Sequence, residues 1–90
     1  MLEELVYGGK DVEELIKAKF PSANTEDASD DIHENRFSLS IEDTNEDDFY
    51  VYAIQKGFAD LCFKFALMLR IPNPKDAEKI KGWIAKANVY

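Results

Sequence analysis

The apolar positions of this 90-residue chain change their period several times from one end to the other. Leu2, Leu5 and Val6 have helical spacing, but only over a turn or two, and Gly8-Gly9 ends that run. From Asp11 to Phe20, the residues Val12, Leu15, Ile16 and Phe20 share one face of a 3.6-residue period, with charges opposite. This predicts a short amphipathic helix, stopped by Pro21. Residues 22–31 are small, polar and acidic and read as a loop or linker. Between His33 and Glu42 the period drops to two, with Phe37, Leu39 and Ile41 alternating with Arg36, Ser38, Ser40 and Glu42. That is an extended segment. A strand needs a partner and no second clear strand is visible, so an extended arm packed on helices or on a neighbouring subunit is expected.

A long helix is predicted from Thr44 to Arg70. Thr44-Asn45-Glu46-Asp47 offers an N-cap followed by acids, Arg70 suits the far end of the helix dipole, and Pro72 and Pro74 stop it. Gly57 falls mid-helix, where it would allow a kink or a close contact. From the second turn onward its charges are Lys56, Asp60 and Lys64, one narrow stripe on a cylinder otherwise covered by residues such as Phe49, Tyr50, Ile54, Phe58, Phe65 and Leu67. A helix apolar nearly all round is buried on most sides. A second helix follows, with Asn73 as N-cap, Pro74 at the first position and an apolar face of Ala77, Ile80, Trp83, Ile84 and Ala87. The expected fold is therefore mainly α: a short N-terminal helix, an extended arm, then an antiparallel two-helix hairpin. Its two neighbouring helices cannot cover the long helix, so copies of the chain would assemble into a compact oligomer, the alternative being that the acidic N-terminal half wraps the helix completely.

Length sets one domain over 1–90, with 1–31 an N-terminal extension and 32–90 the arm plus hairpin. Cys62 has no partner for a disulfide, and it and the single histidine, His33, do not make a zinc site. A lone cysteine fits a reducing cytoplasm. The first residues carry acids where a signal peptide carries bases, and Lys64 and Arg70 interrupt the Leu61–Ile71 apolar stretch, so no membrane span is expected. The net charge of −7 argues against general nucleic-acid or membrane binding. It is unevenly spread: residues 1–55 hold 4 bases and 15 acids, net −11, and residues 56–90 hold 7 bases and 3 acids, net +4. An anionic ligand would belong with the second half and a basic partner protein with the first.

No nucleophile–base pair, glycine-rich phosphate loop or metal-ligand constellation stands out, so no catalysis, metal or cofactor is expected. Asp43 to Asp48 superficially resembles a calcium loop but lacks its glycine and closing glutamate. Aromatic residues are plentiful, and an aromatic beside a cation is the pairing that receives a nucleobase and its phosphate. Arg36-Phe37 is one such pair and Tyr52 with Lys56 another. The competing reading is that these aromatics fill the core and hold subunits together.

His33-Glu34-Asn35-Arg36-Phe37, then Ala53-Ile54-Gln55, Leu61-Cys62, a proline-containing turn and a closing helix with Trp83 form a pattern over Ile32 to Val89. This pattern resembles the phage anti-CBASS cyclic-nucleotide sponges, which share a helical hairpin with the Thoeris anti-defence sponges. The resemblance implies an all-helical protein, a hexamer built from dimers, that holds cyclic dinucleotides between protomers without cleaving them, in the cytoplasm of the infected bacterial host. On this sequence Arg36 and Lys56 are the candidates for phosphate contacts, Phe37 and Tyr50 for base contacts, and Lys64 a further cation. The alternative function, from the charge of residues 1–55, is an acidic inhibitor that binds a basic host protein, in the manner of a nucleic-acid mimic.

Overall fold

The computed structural model describes residues 1–32, 35–71 and 73–89, so His33, Glu34 and Pro72 of the patterns above lie outside the described residues. The chain runs β1 (Leu2–Tyr7), α1 (Lys10–Lys19), β2 (Asn24–Asp27), β3 (Arg36–Ile41), α2 (Glu46–Lys56), a short 3₁₀ turn (Ala59–Leu61), α3 (Phe63–Arg70) and α4 (Pro74–Ala87). The expected mainly-α hairpin is thereby corrected to an α+β domain: three antiparallel-paired strands with four helices.

The strand order is β1-β3-β2, so the expected partnerless arm is the central strand. Leu2 to Tyr7 pair with Ile41 to Arg36, and Asn24 to Asp27 pair with Ser40 to Phe37. Leu2, Glu4 and Val6 of β1 and Phe37, Leu39 and Ile41 of β3 face inward and are buried. The buried carboxylate explains why β1 escapes a hydrophobic reading. Glu4 interrupts the inward alternation, and what remains, Leu2-Leu5-Val6, mimics a helix turn. β2 is Asn-Thr-Glu-Asp and holds no apolar residue. It is a strand because β3 gives it a ladder and because Thr25 Oγ1 donates to Glu13 Oε1 on α1 at 2.6 Å.

The predicted Thr44–Arg70 helix is two helices at different places in the fold. Asn45 caps α2, its side chain accepting from the Asp48 amide, 3.0 Å. Gly57, at φ +79°, ends α2 in the left-handed conformation, with the Phe58 amide bonded back to the Ala53 carbonyl at 3.0 Å. The chain then passes through the 3₁₀ turn, and Cys62 bridges to Val6 at the edge of β1. This break scatters the Lys56–Asp60–Lys64 stripe over three elements. α4 forms as its Asn73 cap and Pro74 predict, but it lies chiefly against α2 and not as the second arm of a hairpin with α3.

The buried side chains form one core between the inner sheet face and the helices. Its centre is aromatic: the Tyr50 ring lies 4.9 Å from Trp83, 5.5 Å from Phe65 and 5.5 Å from Phe49. Burying such rings stabilises by roughly 25 cal/mol per Å² of apolar surface removed from water.

Candidate binding surface

The inward residues of the sheet fix what its other face presents. Across that outer face the register makes two rows, Glu3–Ser40–Asn24 and Leu5–Ser38–Glu26. Serines on the central strand are short, while Glu3 and Glu26 on the edge strands are exposed. The result is a shallow groove of about 300 Å³ lined by Glu3, Asn24, Glu26, Ser38 and Ser40. At one end of the same face stands Arg36, whose guanidinium is already engaged. Its Nη2 donates to Asp30 Oδ2 at 2.8 Å and its Nε to the Ala28 carbonyl. The outer face is therefore polar and negative.

Two adjacent glutamates thus have opposite surroundings. The Glu4 carboxylate is buried and accepts from the Tyr50 hydroxyl, from the Lys64 amide at 2.9 Å and from the Leu5 amide at 3.0 Å. Lys64 lies in the first turn of α3, whose N-cap Cys62 makes no side-chain cap. Glu4 supplies that missing acceptor, an anion at the positive end of a helix. Burial first, and then the hydrogen bond to Glu4, pushes the Tyr50 phenol well above its ordinary range. Burial likewise pushes the Cys62 thiol up, with the nearby Glu4 charge adding to it. Neither group is a nucleophile at neutral pH.

The acids that open α2 are partly absorbed by the fold. Trp83 Nε1 donates to Asp47 Oδ1, and Lys79 Nζ meets Glu46 Oε1 at 3.1 Å, so these two acids dock α4. Hydrogen bonding to Glu46 holds the Lys79 ammonium above its usual value. Glu42, Asp43 and Asp48 remain exposed. Among the described residues, no group of three or more His, Cys, Asp or Glu side chains is arranged to hold a metal ion.

The five expected ligand residues do not meet in one protomer. Arg36 and Phe37 both line a cavity of about 290 Å³ at the start of α1, with Lys10, Glu13 and Asp27 on its wall. The Phe37 ring is buried and faces the core. Tyr50 is fully buried, and its hydroxyl and the Lys64 backbone amide donate to the same Glu4 carboxylate. Lys56 is exposed elsewhere, its Nζ 5.8 Å from the Tyr52 ring centroid, while the Tyr52 hydroxyl donates to the Leu15 carbonyl at 3.0 Å. The sequence reading missed Glu3, Glu26 and the role of Glu4. The alternation of Ser38 and Ser40 against Phe37, Leu39 and Ile41 was the available signal for a polar sheet face.

No family model, curated protein or solved structure matches this chain. The likeness to the cyclic-nucleotide sponges rests on the residue pattern alone, and the all-helical architecture that it implies is not the architecture of this chain.

Proposed function

We propose that the protein is a binding module that engages a basic partner protein through its acidic surface and performs no chemistry. The observation that carries this is the uncovered sheet face, where Glu3 and Glu26 flank a strand of serines and Arg36, at one end, is paired with Asp30. A lysine or arginine side chain reaching this groove finds carboxylates on both sides and hydroxyls beneath. The exposed Glu42, Asp43 and Asp48 extend the same sign of potential and would raise the association rate. The test is titration of a fluorescent arginine-rich peptide into the protein at increasing salt. Binding should weaken steeply with salt, and the Glu3→Gln/Glu26→Gln pair should weaken it about tenfold. Binding unchanged by that pair would sink the reading. Asp47 and Glu46 are unsuitable for such a test, because neutralising them also loosens α4.

A second reading keeps the cyclic dinucleotide expected from the sequence, bound and released intact in the cytoplasm of a phage-infected host. What favours it is the cavity at the start of α1, which Arg36 and Lys10 help to line. Glu13 and Asp27 line the same cavity and oppose an anion, and for this reason the basic partner is preferred. A calorimetric panel of cyclic dinucleotides decides: heat on binding that Arg36→Ala abolishes supports the sponge, and no heat with any member removes it. Neither membrane nor general nucleic-acid binding enters either reading. Among the described residues, no helix is long and apolar enough to cross a membrane.

A further inference from the structure

The sheet ends differently at its two edges. On the β1 side Cys62 bridges Val6, and the Leu5 amide donates to the Glu4 carboxylate, so that edge is engaged. On the other side β2 is the last strand, and among the described residues no further strand pairs with it. The ladder decides which of its groups face out. Antiparallel strands alternate residue pairs that exchange backbone hydrogen bonds with pairs that do not. The Ala28 amide donates to the Arg36 carbonyl at 3.0 Å, which fixes the alternation. Glu26 with Ser38 and Asn24 with Ser40 then exchange bonds, while Thr25 opposite Leu39 and Asp27 opposite Phe37 do not. The N–H and C=O groups of Thr25 and Asp27 therefore point away from β3, off the free edge. Asn24, Glu26 and Asp27 are exposed and Thr25 is half-buried. An edge of this kind is a template for one more strand.

The surrounding charges choose that strand. From Asn24 to Asp31 the chain holds Glu26, Asp27, Asp30 and Asp31 and no base. Asp30 is taken by Arg36, and the other three acids make no ion pair among the described residues. Successive side chains of a strand point to opposite faces, so Glu26 stands on the outer face and Asp27 on the inner one. On the inner side Lys10 and Glu13 of α1 share a cavity with Asp27, and Glu13 is paired with Lys17. Three acids against Lys10 leave the edge negative. A second copy of β2 laid along it would bring acid to acid, which destabilises a strand pair. Two residues offer four backbone bonds, and each contributes little net stability in water, so they do not hold a segment of any charge. We infer that an extended basic segment of the partner protein docks on β2 as a fourth strand. Its backbone bonds Thr25 and Asp27, and its alternate side chains set lysine or arginine beside Glu26 on one face and beside Asp27 on the other. This rests on the basic-partner reading and deepens it, since it assigns the partner's backbone to the sheet edge.

The test uses the full chain and the arginine-rich peptide, beside the same peptide N-methylated at every residue, which keeps each charge but has no N–H to donate. The unmodified peptide should bind at least about tenfold more tightly. Amide hydrogen exchange at Thr25 and Asp27 should slow when it is added. Asp27→Asn, which keeps an oxygen for the Ser29 amide, should weaken binding about threefold. Equal binding of the two peptides overturns the strand pairing and leaves the basic-partner reading standing. So does binding without slower exchange at Thr25 and Asp27, and so does binding indifferent to Asp27→Asn. Failure of both peptides to bind overturns both readings. Exchange at Thr25 and Asp27 that slows with rising protein concentration, in the absence of peptide, assigns the edge to a second copy and overturns the proposal as well.

Discussion

α2 and α3 follow one another along the chain, and the more apolar of the two is the less buried. α2 reads Glu-Asp-Asp-Phe-Tyr-Val-Tyr-Ala-Ile-Gln-Lys and buries Phe49, Tyr50, Tyr52 and Ala53. α3 reads Phe-Lys-Phe-Ala-Leu-Met-Leu-Arg and buries only Phe65. The difference lies in what surrounds them. α2 has the sheet, α1 and α4 around it: Phe20 packs on Phe49 and Tyr52, and Trp83 packs on Tyr50. α3 meets the edge of β1 and, through Phe65 alone, the rings of Tyr50 and Trp83, while Phe63, Leu67 and Leu69 stay exposed. Apolar composition records how much surface a helix needs to bury, and the fold decides how much of that need is met within one protomer.

The sharpest way to break this comparison is to truncate one side chain in each helix. Phe49→Ala removes a fully buried ring and should cost about 3–5 kcal/mol. Leu67→Ala removes a side chain that is already 37% exposed and should cost less than about 1 kcal/mol at concentrations where the protein is monomeric. Urea denaturation followed by circular dichroism measures both. Equal costs would mean that α3 is covered in solution even in the monomer, and the contrast between the helices would fail.

The next test uses the residue that ties α3 to the sheet. The Lys64 and Leu5 N–H groups share one oxygen of Glu4 and the Tyr50 hydroxyl bonds the other, so Glu4→Gln keeps an oxygen on one side only and leaves the donor or donors on the other side without an acceptor. The expected cost is about 1–3 kcal/mol. Glu3→Gln, on the exposed face of the same strand, should change stability by less than about 0.5 kcal/mol. If the two neighbours respond alike, Glu4 does not cap α3 and the helix is held by packing alone.

Alkaline titration probes the same joint with a smaller effect. Tyr50 and Cys62 both hold their protons more tightly in the folded chain than their ordinary values of 10.0 and 9.0. Above those values the unfolded chain has released protons that the folded chain keeps, so the unfolded state binds fewer and stability falls as pH rises. The contribution is fully present below about pH 9 and is lost at up to about 1.4 kcal/mol per pH unit for each group above its unfolded value. Tyr50→Phe and Cys62→Ala should each flatten the alkaline limb of stability against pH. In the native state, Cys62 should resist an alkylating reagent until the chain unfolds.

The α-helical parts of the fold were legible where local signals stood alone. Asn45 and Asn73 cap the helices that follow them, and α1 shows its buried stripe in Ile16 and Phe20. The sheet was not legible, for a physical reason on each strand. β1 places a carboxylate on its inner face, β2 has no apolar residue, and β3 alternates cleanly but was left without visible partners. Strand pairing is non-local: Leu2 meets Ile41, and no window along the chain contains both. The candidate surface suffered in the same way. Charge segregation was visible from the sequence, but the row of Glu3, Ser40 and Asn24 exists only once the register is known. The aromatic candidates Phe37 and Tyr50 went to the core, as the competing reading held they would.

The smallest effect falls on the junction that separates α2 from α3. Gly57 adopts φ +79°, and a Cβ built there meets nothing within 4 Å, so Gly57→Ala carries only the backbone penalty of a left-handed residue. That is about 1 kcal/mol. The sign is what matters. In a helix interior, alanine is more favourable than glycine by nearly the same amount, so a chain that ran unbroken from Thr44 to Arg70 would gain stability from the substitution. Loss in urea denaturation places the break at Gly57 and keeps α3 a separate element with neighbours of its own. A gain would mean that the helix continues through this position, and α2 and α3 would then have to be regarded as one element with one set of neighbours.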